Sequence, residues 1–310
     1  MFLIIPGSLV LGFLFSEFLI RFIDAVPYLF AVVTLTMALG CGIRQLQLVV
    51  RRPLPMLWTL VIAHLVLPLV AFALGTAVFG SDSPYVIGLV LFTIIPLGVS
   101  SVIWVGLSGG SIPLMLSLVV VDSALSPLVV SSGIHMLFGT GITVDTTHIM
   151  VDLLIIVVLP TIVGVILHEI SKGKLNEVVK PVGGPISKLC FTAVVALNAA
   201  AIAPYVAQLQ GDMLKLVPVV VVLVGLCYAA GFAGAVPFRD RELLTTVSYA
   251  TGMRNISLGI VLALGYFSPL TAVPVVLSIL IQQPVATLHH YILQKINISK
   301  SGEIGRGQVR

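Results

Sequence analysis

Charge is what this chain has least of. Asp, Glu, Lys and Arg make up 9% of 310 residues, whereas hydrophobic residues account for 58%. Mean hydropathy is +1.17. A soluble domain of this length has too small an interior to hide so much apolar sequence, so the chain reads as a polytopic membrane protein. The few basic residues do not gather into a patch but lie between apolar runs. A net charge of +4 is therefore no nucleic-acid footprint, and no nucleic-acid partner is expected. Cysteine is scarce too: Cys41, Cys190 and Cys227 fall in or beside apolar runs, without metal-ligand spacing, and read as packing residues. Constellations that would support catalysis are also missing. Asp122 stands alone in its apolar run, and His168-Glu169 has no second histidine four residues from the first. An intramembrane hydrolase is thus a remote alternative, and neither enzyme activity nor a cofactor or metal centre is expected. The N-terminal Met-Phe-Leu-Ile-Ile-Pro has no basic n-region or small-residue cleavage pattern, so it reads as the start of a spanning helix.

What is present is a succession of apolar segments. Breaking the chain at polar, proline and charge clusters predicts ten spans of about 20–25 residues each. They lie near 3–22, 27–46, 54–79, 85–107, 112–138, 148–169, 185–207, 214–237, 242–265 and 270–294. With ten spans drawn, Arg44, Arg51, Arg52, Lys172, Lys174, Lys180, Lys188, Arg239, Arg241, Lys295, Lys300, Arg306 and Arg310 share one side. Only Arg21 and Lys215 approach the other, so the positive-inside rule puts both termini in the cytoplasm of a multi-pass cell-membrane protein. Five spans before the loop at 139–147 and five after it predict two halves, 1–138 and 148–294, as inverted repeats, with a cytoplasmic tail at 295–310. Spans four and nine both carry small polar residues in mid-membrane: Pro96-Leu97-Gly98-Val99-Ser100-Ser101-Val102 and Thr251-Gly252-Met253-Arg254-Asn255. Interrupted helices at matching positions of two halves point to a transporter binding site, because their broken ends must line a cavity.

Arg254 is the sharpest single signal. An arginine at mid-membrane depth costs about 2.5–3.5 kcal/mol on insertion scales and cannot shed its proton. Its planar fork suits bidentate binding of a carboxylate.

The stretch Thr251-Gly252-Met253-Arg254-Asn255-Ile256-Ser257-Leu258-Gly259 resembles a signature of the bile acid:sodium symporter family. Met37-Ala38-Leu39-Gly40 with Arg51-Arg52-Pro53, Pro96 to Val102, and Ser126-Pro127 are similar to that family's second, fourth and fifth helices. The resemblance implies an all-α membrane fold of ten helices: a panel of spans 1, 2, 6 and 7, and a core of spans 3–5 and 8–10. Spans 4 and 9 would unwind and cross at the centre. It also implies secondary transport of a small organic anion by alternating access. Arg254, Asn255, Ser100, Ser101, Thr251 and Gln282 would serve the substrate.

Set against that family, the chain departs at its sodium ligands. Ser101 keeps a hydroxyl, but Val102 replaces asparagine, Met115 and Val119 replace hydroxyl residues, Ala250 replaces glutamate and Arg254 replaces glutamine. At about 4 Å, a guanidinium repels Na⁺ by about 4 kcal/mol at an effective dielectric near 20. The expectation is that Na⁺ does not bind at the usual side chains and that Arg254 takes its place; the alternative is an ordinary Na⁺-coupled symporter. Asp122 is the candidate partner of Arg254, either as a route for H⁺ or as a permanent ion pair. Asn198 and Gln283 face either the site or neighbouring helices. His64 reads as a packing residue, His289 and His290 as interfacial, and Glu17, Arg21 and Asp24 as snorkelling side chains.

Overall fold

The computed structural model describes residues 4–44, 47, 53–139, 145–204 and 211–307, with side chains described between residues 7 and 296. Arg51 and Arg52 of the basic turn, 140–144 of the central loop and 308–310 of the tail lie outside the described residues.

Twelve helices are described: α1 (Ile4–Leu14), α2 (Ser16–Ala38), α3 (Pro53–Phe79), α4 (Pro84–Ile94), α5 (Ser101–Leu107), α6 (Ile112–Phe138), α7 (Thr146–Ser171), α8 (Lys174–Ile202), α9 (Met213–Phe238), α10 (Arg241–Gly252), α11 (Ile256–Tyr266) and α12 (Pro269–Gly307). No strand occurs among the described residues, only an isolated antiparallel bridge between Leu97 and Arg254. Seven helices (α2, α3, α6, α7, α8, α9 and α12) are long and apolar enough to cross a bilayer. Large apolar side chains stand on the outside; Leu14, Ile170, Met136 and Leu214 are 72 to 82% exposed, as suits a lipid-facing surface.

The seven long helices and the ten predicted spans differ for visible reasons. Predicted span four is divided into α4 and α5, and span nine into α10 and α11. Predicted span one is shared between α1 and the start of α2. Where the first loop was expected, the backbone tightens into the 3-10 stretch Ile20–Ala25 instead.

Helix starts follow their caps. Ser83 accepts from the Tyr85 N–H ahead of Pro84, Asp145 from Thr147 and His148, and Asp240 from Leu243. The hydrogen bond from the His148 side chain, foremost, holds the exposed Asp145 carboxyl below the usual carboxylate range.

Packing groups most of the helices into two sets, with α6 lying mainly along α7. In one, α1 and α2 lie along α8, and α2 also along α7; in the other, α3 and α12 flank α4, α9 lies along α10, and α11 and α9 pack on α12. Pocket-lining residues from α2 and α8 meet those of the helix breaks between the two sets.

Candidate functional site

The site begins with two helix ends that the sequence makes unavoidable. Pro96 disfavours helical geometry at the residue before it, and Ile95 is extended (φ −60°, ψ 157°), so α4 stops. Past Gly252, Met253 is likewise extended (φ −114°, ψ 118°), which ends α10. The freed backbone groups find each other. Gly98 N–H donates to Met253 O at 2.8 Å and Asn255 N–H to Pro96 O at 2.8 Å, forming the Leu97–Arg254 bridge. Gly98 has to be glycine: a Cβ there would stand 2.7 Å from Arg254 O. Gln282 of α12 closes the second break, its Oε1 accepting from Arg254 N at 2.8 Å and its Nε2 donating to Arg254 O at 3.4 Å.

Arg254 is 1% exposed. Its Nη1 donates to Ile95 O at 3.3 Å and its Nη2 to Ala63 O at 2.9 Å; Nε has no partner among the described residues. Both carbonyls are orphans of local sequence. Ile95 O lies at the end of α4. Ala63 O lies in the π-helical stretch Ile62–Val66, where Leu67 N–H bonds Ile62 O five residues back. The next bond of that series would run from residue 68 to residue 63, and residue 68 is Pro68, which has no N–H. The guanidinium fills the vacancy.

Asp122, 1% exposed on α6, is joined to other groups than the predicted one. Its Oδ1 lies 2.5 Å from His64 Nε2 and its Oδ2 accepts from Leu97 N–H at 2.6 Å. Among the described residues no carboxylate is paired with Arg254, so the expected Asp122–Arg254 pair is replaced by two separate arrangements, guanidinium to carbonyls and carboxyl to histidine. His64, expected to be a packing residue, is thereby part of the site. Its Nδ1 also faces Ile94 O at 3.1 Å.

A cavity of about 310 Å³ opens beside the crossing. It brings together Ser100, Arg254, Asn255, Gln282 and Gln283 from the predicted site with an apolar wall including Phe30, Val33, Met37 and Phe191. Two other candidates lie elsewhere: Thr251 Oγ1 donates into backbone carbonyls including Cys227 O at 2.8 Å, and Ser101 Oγ bonds back to Gly98 O, both side chains fully buried and outside the cavity lining. Small hydroxyls in helices commonly satisfy themselves this way. Conversely, Lys188, counted above only in the cytoplasmic band, lines the cavity next to Ser187 and is exposed. Its position one turn before Phe191 on α8 was the available signal.

Asn198 is 1% exposed and neither amide atom has a partner among the described residues; Ser257 Oγ, on the cavity wall, is similarly unpaired. His289 is buried, its Nε2 2.7 Å from Ser248 Oγ, and His290 Nδ1 lies 2.7 Å from Ser108 Oγ, so this pair ties α12 to α10 and α5 instead of standing at an interface. Cys41 and Cys227 are buried and all three cysteines are free. No cluster of three His, Cys, Asp or Glu side chains suited to a metal occurs among the described residues.

The profile of the Sodium Bile acid symporter family matches residues 26–209. The "Uncharacterized protein YbaS" of Bacillus subtilis (strain 168) is 36% identical over 297 residues, 96% of this chain and 97% of its own length. The "Uncharacterized sodium-dependent transporter YocS" of the same organism is 25% identical, covering 86% of this chain and 81% of its own. The "Probable sodium/metabolite cotransporter BASS1, chloroplastic" of Arabidopsis thaliana is 29% identical over 69% of this chain and 52% of its own length. With most of its sequence matched to that profile, and a full-length relative above 30% identity, the chain belongs to the Sodium Bile acid symporter family.

Proposed function

We propose that the chain is a secondary transporter carrying a small organic anion by alternating access, with the cavity at the crossing of the broken helices as its substrate site. The observation that carries this is the juxtaposition, in a member of a symporter family, of two interrupted apolar helices with a partly polar cavity. Counting α4 with α5 and α10 with α11 as one span each, and dividing α1 and α2 at the 3-10 stretch, gives ten spans in two halves, 1–138 and 148–294. The packing of α1, α2, α7 and α8 supports the panel, and that of α3, α4 and α9 to α12 supports the core. On this reading both termini are cytoplasmic. At about 310 Å³ the cavity is at the low end for ligand sites, roughly 300–1,000 Å³, which favours a compact substrate. Among the described lining residues, Lys188 is the exposed cation; two of the Arg254 guanidinium nitrogens are engaged by carbonyls.

For the driving ion, sodium is the reading that the family and the names of two relatives favour. The geometry favours a second reading. The carbonyls of Ala63, Ile95, Pro96, Met253 and Arg254 all accept from protein donors, and a fixed cation lies among them. A carrier so built is driven by exchange or by protons. Uptake of labelled organic acids into proteoliposomes, in Na⁺ against K⁺ media, separates the two. Strict Na⁺ dependence supports the first reading and equal rates the second; absence of any saturable uptake across the acids overturns the proposal.

A further inference from the structure

His64 and Asp122 are 58 residues apart in the chain and side by side in the core, their side chains 9% and 1% exposed. Their hydrogen bonds count protons. His64 Nδ1 faces Ile94 O, 3.1 Å away, which can only accept, so Nδ1 carries a hydrogen. Were that the ring's sole hydrogen, Nε2 and the Asp122 carboxylate would aim lone pairs at each other across 2.5 Å. A further proton therefore lies between them, shared by imidazolium and carboxylate or by imidazole and carboxylic acid. The other Asp122 oxygen holds the N–H of Leu97, the residue opposite Arg254 in the bridge. Loss of the proton would leave an anion facing a lone pair, and relief requires the ring or the carboxylate to let go of Ile94 or Leu97.

Arg254 lies within electrostatic reach of Asp122 and of the Cys227 thiol on α9. The polar neighbours along α6 and α4, Ser123, Ser126 and Thr93, carry no charge. The contacts of the pair with Ile94 O and Leu97 N–H, on the edge of the crossing, are what require the proton. We infer that the His64–Asp122 pair is a proton-binding site, filled from water and emptied to it, whose occupancy is tied to the closed crossing of the broken helices. Its use as a coupling site rests on the transporter reading above; its existence does not.

The test is hydrogen–deuterium exchange of the segment 94–100 in the purified full-length protein across pH, corrected for intrinsic exchange and referenced to buried α9. Asp122→Asn mimics the protonated acid: its amide oxygen accepts from Leu97 N–H and its NH₂ donates to the bare Nε2 of a neutral ring. Wild type should lose protection by roughly tenfold or more through a single-proton transition as pH rises, while Asp122→Asn stays protected throughout. No transition in wild type while the protein remains folded, or the same transition in Asp122→Asn, overturns the inference. Should that variant not fold, His64→Gln, whose amide donates to the carboxylate without a titrating proton, must also lack the transition; its persistence overturns the inference. No substrate is added, so this outcome is independent of whether the chain transports.

Discussion

Arg254 has a residue-scale logic that its sequence context half reveals. The sequence makes it costly at depth, and that cost demands partners. It does not say which, because Ala63 O becomes available only through a π stretch ending at Pro68, far away in the chain. For the same reason Asp122 could be singled out as the lone acid of its span, yet its partner His64 could not. Lys188 is the opposite case, a residue whose charge was legible and whose place was not. If it is the anion's partner, Lys188→Met should weaken binding of a carboxylate by roughly 10- to 100-fold, the worth of a charge-assisted hydrogen bond. The neutral amide of the same compound should bind equally to both proteins. Thermal shift or calorimetry against such carboxylate–amide pairs makes the measurement, and equal loss for acid and amide would mean that Lys188 only supports the fold.

At the scale of elements, interruption was readable and continuity was not. Pro96 and the glycines predicted where α4 and α10 end, because proline's effect on its predecessor is local. The division of the first apolar run at Leu14 and Ser16 has no such marker, and the predicted first loop turned out to be helical. Nor does a lone Thr or Ser declare its partners; Thr251 bonds carbonyls of its own helix and of α9, and Ser101 bonds Gly98 O in the break. Tight approach of the two breaks makes a further demand. Gly98→Ala would drive a methyl to 2.7 Å from Arg254 O, separating the bridge strands, whereas Gly225→Ala meets open space. Overpacking of this sort costs about 1–3 kcal/mol. Thermal unfolding should therefore show Gly98→Ala clearly destabilised and Gly225→Ala close to wild type; comparable stability of the two would mean the crossing tolerates separation.

For the whole molecule, composition alone was enough to put the chain in a bilayer, and the family match agrees. The relation between the two helix sets was not legible, since it depends on tertiary contacts that no local pattern announces. One such contact lies away from the cavity: Tyr266 at the end of α11 donates to Asp152 of α7 at 2.5 Å. Under alternating access this bond would hold α11 to α7 and keep the Asp152 end of the two helices closed. Tyr266→Phe should then favour the opposite opening and increase labelling of a cysteine introduced at Asp152's end of α7; unchanged labelling would make the contact incidental. On the proposed reading such motions would turn about a crossing at which Arg254 holds the Ala63 and Ile95 carbonyls. The most direct measurement is an experimental structure in thallium(I), an anomalously scattering monovalent cation. The prediction is a guanidinium against the Ala63 and Ile95 carbonyls with no anomalous peak between them. A thallium peak at that pair of carbonyls, with Arg254 displaced, would contradict it.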